Sequence, residues 1–329
     1  MPPRDDGYVY ANGRIRALEE TFIGSRMWQM MLSAHDLDEL VRLLSDTWYG
    51  DFLADSEHRV GDAVLSALEA TERELVDLAE DEQLVSGLLH RRDVRNARYL
   101  WKSELIREES SEPPVERPGL LAVSILREAV SDPDAREGLP AHFRIALESL
   151  LAIAAPGVRE IEKVMDSLAA EVERMELPRF GTALDAYVRT RIELSNFRTA
   201  ARCRISGMAR AEVEKMLQAG GAHSAEEIGE ACSAGTLADL LSETDGASGA
   251  ARALREVLEG ASFLPYERES ERLLLELLED ASTYRVFGPE PLGAMILRRE
   301  LEGRHLSLLA AGKAAGMDQE RIMQRIPRG

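Results

Sequence analysis

Lysine is scarce in this chain of 329 residues: Lys102, Lys163, Lys215 and Lys313 are four of the 40 basic residues, and the other 36 are arginine. Guanidinium forks favour bidentate ion pairs over point charges, although a compositional bias of the genome would give the same count. Cysteine is scarcer still. Cys203 and Cys232 fit neither a disulfide framework nor a CxxC metal site, which points to a reducing compartment. Long apolar runs are missing as well. LLAVSIL (120–126) and SLLAIAAPGV (149–158) fall far short of the roughly 18 residues of a membrane span. The start, MPPRDDGYVY, lacks the charged and apolar regions of a signal peptide. These absences predict a soluble chain and leave open its docking onto a membrane complex.

Catalytic signatures are equally sparse. With 59 acidic against 40 basic residues, the formal charge of -19 repels nucleic acid, and no basic patch dominates. No GxxxxGK[ST] loop is present, so direct nucleotide binding is not expected, and Gly220-Gly221 reads as a helix stop. The six histidines (His35, His58, His90, His142, His223, His305) are scattered and form no HExxH pair; they read as solvent-facing or capping groups. There is no GxSxG elbow. Cys203 lies between Arg202 and Arg204, which could lower its thiol pKa, but it has no evident histidine partner. Acidic runs such as LAEDEQL and RESERLLLELLED, with Glu267, Glu269 and Glu271, read as solvated helix faces. Trp28, Trp48, Trp101 and Tyr49 sit among apolar neighbours and suit core or interface packing. The sequence therefore assigns no catalytic residue, no metal and no cofactor.

What is present is helical periodicity. Leu37, Leu40, Val41 and Leu44 recur at helical spacing, as do Val60, Val64, Leu68, Leu75 and Leu78, and Ile161, Val164, Leu168, Val172 and Met175. Strand-like alternation is hard to find, so the expected fold class is all-α. Breaks fall at 110–119, 131–140, Gly220-Gly221, 245–249 and 287–293, each rich in Gly, Pro, Ser or Asp. SSEPPVERPG at 110–119, with three prolines, is the best linker candidate.

Short phrases recur. Residues 91–98 read RRDVRNAR and residues 191–198 read RIELSNFR, one hundred positions on; LVRLLSDT (40–47) returns as LADLLSET (237–244). A weaker echo of the first phrase occurs at Arg298-Arg299-Glu300. This spacing suggests three copies of one helical unit, over residues 1–112, 113–215 and 216–329. On a helical wheel, Asp93 and Glu193 point toward the apolar side, with Asn96 and Asn196 beside them. A carboxylate there costs several kcal/mol unless it is paired, so Asp93, Asn96, Glu193, Asn196 and Glu300 are candidates for a structural latch, with an Arg or amide partner on a neighbouring helix. An interaction surface or ligand contact is the alternative. Arg91, Arg98, Arg191, Arg198 and Arg298 are candidates to line a cavity or its seams.

Three stretches together resemble a known family. NGRIRALEETFIG leading into LVRLLSDTWYGDFL is similar to the opening repeat of the C subunit of the archaeal and bacterial A/V-type ATPases, homologous to the d subunit of the eukaryotic vacuolar enzyme. LLHRRDVRNARYLWKSEL and YVRTRIELSNFRTAARCR resemble its R-x-D-x-x-N helix and the second copy, and LGAMILRRELEGRHLSLLAAGKAAGM resembles its last repeat. In the third copy Gly303 and Arg304 stand where the asparagine and an apolar residue would align. The resemblance implies three helical bundles in a pseudo-threefold funnel and a non-catalytic rotor part, peripheral on the cytoplasmic face of the membrane. Its implied partners are the D and F subunits of the central stalk and the membrane proteolipid ring, between which it passes torque coupled to ATP hydrolysis or synthesis and ion transport. The competing expectation is a cytosolic helical-repeat scaffold presenting a concave surface to a protein partner. A helical enzyme with a metal or water-activating acids is a further alternative.

Overall fold

A computed structural model describes residues 8–56, 59–79, 82–106, 119–284, 288–323 and 326. The frame consists of α1 (Val9–Glu19), α2 (Val60–Leu78), α3 (Glu82–Ile106), α4 (Val158–Glu176), α5 (Thr182–Ile205), α6 (Leu264–Tyr284) and α7 (Glu290–Ala314). No strand occurs among the described residues, so the fold is all-α. A cluster of short helices precedes each pair of long ones: Ser25–Ser33, Leu37–Ser45 and Gly50–Asp55 before α2 and α3; Val123–Glu128, Pro133–Glu137 and Ala141–Leu151 before α4 and α5; and a third cluster between Arg210 and Leu258 before α6 and α7.

Local chemistry explains where these elements begin and end. Asp36 accepts a hydrogen bond from the Glu39 backbone N–H at 2.8 Å and starts the helix Leu37–Ser45. Ser224 and Glu227 exchange a capping box ahead of Ala225–Ala234, and Gly235, at φ 86°, ends that helix in the left-handed conformation. The stretch 131–140, read as a break, contains one short helix that Asp132 caps at Asp134 N–H, with Pro133 at its first position. The linker expected at 110–119 lies outside the described residues apart from Gly119.

The long helices pack as a ring: α3 lies on α4, α4 meets α5, α5 lies on α6, α6 on α7, and α7 meets α3 and also packs on α2. One apolar cluster joins the ring at Leu68, Leu75, Leu184, Ile192, Leu278 and Met295. Three further clusters sit around it. The C-terminal half of α3, with Val94 and Trp101, packs against Leu126, Phe143 and Ile161; that of α5, with Phe197 and Ala200, against Ile228, Leu241 and Leu254; and that of α7, with Leu306 and Leu309, against Met31, Leu40 and Leu44. Each fully buried large apolar side chain contributes about 1.5–3 kcal/mol of transfer free energy. The N-terminal halves of the same helices face the common core. A pair of long helices thus ties the ring to each satellite: α3 with α4, α5 with α6, and α7 with α2.

Candidate functional site

The repeated phrase sits at the middle of α3 and α5, where ring and satellite meet. Asp93 is fully buried, and its two carboxylate oxygens accept the backbone N–H groups of Leu120 (3.2 Å) and Leu121 (3.1 Å). Glu193, also fully buried, accepts those of Ala222 (2.9 Å) and His223 (3.2 Å) and contacts His223 Nδ1. The partners are therefore backbone amides of a loop, where the sequence suggested an Arg or amide partner on a neighbouring helix. In both loops a glycine comes first, because a Cβ on Gly119 would collide with the Asp93 carboxylate and one on Gly221 with that of Glu193. Gly221 thus belongs to a carboxylate cradle, while Gly220, at φ 108°, sits against Arg174 and Ile192. Asn196 closes the second copy by donating Nδ2–H to Gln218 O and accepting Gln218 N–H, both at 2.8 Å. Burial raises the Asp93 carboxyl to about 6, against the lowering effect of the two loop amides.

In α7 the equivalent acid is Glu302, two residues beyond the position read from sequence. Glu302 accepts the Ile23 N–H at 2.7 Å and the Tyr49 hydroxyl at 2.8 Å. Leu121, His223 and Ile23 each stand two residues before the next short helix, so the same latch forms three times. The reason is steric register: Leu306 and Leu309 follow Glu302 at the spacing of Phe197 and Ala200 after Glu193 and of Ala97 and Leu100 after Asp93. With Glu302 as the acid, His305 takes the asparagine position, and its Nε2 lies 3.0 Å from Glu271. Arg299, buried among Phe22, Trp48 and Tyr49, donates to Glu302 at 2.6 Å and to Thr21. Burial, followed by the Glu302 charge, raises the Tyr49 hydroxyl pKa strongly.

Glu300 has a different place. It faces a recess of about 630 Å³ walled by α3, α4, α5, α6 and α7. Arg91, Arg98, Arg191 and Arg198 line this recess together with Arg95 and Arg304; Arg298 lies apart, paired with Glu19 at 3.1 Å and stacked on Phe22. At its base Arg91 bridges Glu173 (2.9 Å) and Glu300 (3.0 Å), Arg191 reaches Glu173 at 2.5 Å, and Arg95 reaches Glu300 at 3.1 Å. Burial opposes the charged form of Glu300, yet Arg91 and Arg95 outweigh it and hold the carboxyl below its usual range. Arg98 turns to Glu162 (3.0 Å) and Asp166 (2.6 Å) on α4. The network clamps α3, α4, α5 and α7 around the opening.

Other side chains find structural places. Trp101 is buried and donates Nε1–H to Leu126 O at 2.9 Å. Cys203 and Cys232 are free and buried, and burial raises both thiols, which reverses the lowering suggested by Arg202 and Arg204. His223 and His305 are held against acids instead of facing solvent. Among the described residues no three His, Cys, Asp or Glu side chains are grouped to hold a metal, and no helix is long and apolar enough to cross a membrane. Sequence reading missed Arg95, Glu173, Arg304 and Glu302. Arg95 was signalled by its position one turn beyond Arg91, and Glu302 by the apolar spacing behind it.

Comparison with known proteins finds similarity over almost the whole chain. The sequence model of the ATP synthase (C/AC39) subunit family matches residues 11–325. The A-type ATP synthase C subunit of Methanocaldococcus jannaschii is 25% identical over 342 aligned positions, covering 96% of this chain and 85% of that protein. The proteins of the same name from Desulfurococcus sp. and Thermococcus onnurineus are 26% and 24% identical, and the alignments cover 90% of each.

Proposed function

The chain belongs to the ATP synthase (C/AC39) subunit family, and from that premise we propose that it is a non-catalytic rotor subunit of an A/V-type ATP synthase. It acts as a socket: the recess receives the end of the central shaft, built from the D and F subunits, and the opposite end rests on the membrane proteolipid ring. Torque then passes between shaft and ring, coupling ATP hydrolysis or synthesis in a separate head to ion transport. The chain itself binds no nucleotide and stays peripheral on the cytoplasmic face of the membrane.

The observation that carries this reading is the arginine-lined recess, walled by long helices from every third of the chain and clamped by the network at Arg91, Glu173, Arg191 and Glu300. A torque adaptor needs register and reversible assembly, which polar contacts around a cavity supply better than raw apolar area. Three units, at residues 1–112, 113–215 and 216–329, arranged with pseudo-threefold symmetry about the recess, form its wall. The recurrence of one latch at Asp93, Glu193 and Glu302 supports this arrangement.

The test is purification of the tagged protein from detergent-solubilised membranes of its own host, followed by mass spectrometry and an ATPase assay. Co-purification of proteolipid, shaft and catalytic-head subunits is the expected result. Recovery alone from the soluble fraction, without any of them, would overturn the rotor assignment and leave a helical scaffold.

A further inference from the structure

Six arginines and four glutamates line the recess of a chain whose formal charge is -19. Positive charge is therefore concentrated where the rest of the molecule carries the opposite sign. The arginines differ in how far they are already matched. Arg91 and Arg191 are taken up by Glu173 and Glu300, and Arg98 by Glu162 and Asp166. Arg95 shares Glu300 and keeps a side chain 56% exposed, and Arg304 lies 3.6 Å from a Glu271 already held by His305, with a side chain 66% exposed. Arg198, on the α5 wall, makes no ion pair with any described residue.

We infer that the element seated in this recess carries carboxylates at its tip, and that Arg198, with Arg304 and Arg95, is the group that reads them. This rests on the socket reading above and adds the chemistry of the shaft end. Three guanidinium groups with spare donors around a partly desolvated opening repel one another until an anion arrives, and a planar fork then binds a carboxylate through two hydrogen bonds. The size fits a chain end. A helix about 10–12 Å across fills roughly 630 Å³ with about one turn. A helix entering by its C-terminus adds the negative end of its dipole to its acidic side chains.

The test titrates the shaft heterodimer of the D and F subunits from the same host into the purified full-length chain, by calorimetry at low and at high salt. Wild type binds and weakens with salt; Arg198→Glu combined with Arg304→Glu loses on the order of tenfold or more in affinity. Arg198→Gln gives a smaller loss, and Arg255→Gln, distant from the recess, gives none. Because Arg198 has no ion-pair partner among the described residues, its variants keep the wild-type melting temperature, which separates lost binding from lost structure. If the heterodimer binds wild type and the charge-reversed protein equally, or its binding ignores salt, the inference fails and the socket reading stands. If it does not bind wild type at all, the socket reading itself falls.

Discussion

The two faces of α5 place charge in opposite ways. On the outer face Glu193 is fully buried and satisfied by two loop amides and His223; on the inner face Arg198, five residues along, lines the open recess and forms no ion pair with any described residue. The first is fixed by folding and the second awaits a partner. In α3 the same division separates Asp93 from Arg95, and in α7 it separates Glu302 from Arg304. A buried charge with complete hydrogen bonding therefore reports on assembly of the chain, whereas a half-matched charge on an opening reports on association.

The contrast is sharpest at Glu302. Glu302→Ala leaves the Arg299 guanidinium buried with Thr21 alone, so a loss of about 3–5 kcal/mol is expected in chemical denaturation. A loss below about 1 kcal/mol would mean that the aromatic ring of Phe22, Trp48 and Tyr49 holds Arg299 without its acid. Glu193→Ala and Asp93→Ala come next. Each strands two loop amides and should cost about 1–3 kcal/mol by the same measurement. Gly221→Ala drives a methyl group into the Glu193 carboxylate and should destabilise in the same range. Wild-type melting in all three variants would remove the distinction between the two faces.

Much of this division was legible in the sequence, and the part that was not has a physical cause. The periodicity of Val60, Val64, Leu68 and Leu75 located α2, and the wheel placed Asp93 and Glu193 on the apolar side. Their partners were hidden because a backbone N–H carries no sequence signature; only Gly119 and Gly221 hinted at a close approach. The weaker echo at Arg298-Arg299-Glu300 follows the charge order of RRD, whereas the α7 carboxylate that accepts a loop N–H is Glu302, with Leu306 and Leu309 packed behind it. Glu300 itself stands opposite Arg91, a contact between chain thirds that no local pattern encodes.

A smaller effect separates the latches by pH. The folded-state carboxyl of Asp93 is raised to about 6 by burial, against an ordinary value of 3.8. A raised pKa means that the folded protein takes up the proton more readily than the unfolded chain. Stability from this group is therefore fully present below about pH 4 and is lost as pH rises through about 6. The difference in unfolding free energy between wild type and Asp93→Asn should shift in favour of wild type as pH falls across that window. A difference independent of pH would show that the loop amides of Leu120 and Leu121 fully offset the burial.

The smallest effect belongs to the inner face. Arg198→Gln removes a charge that no described residue neutralises, so its unfolding free energy should stay within about 0.5 kcal/mol of wild type at any salt concentration. Slight stabilisation would be consistent with relief of repulsion from Arg304 and Arg95, and it should shrink as salt screens charges beyond about 10 Å at 0.1 M. A loss of about 2 kcal/mol or more, on the order of one buried side chain, would mean that Arg198 is anchored like Glu193. The inner and outer faces would then be structural alike.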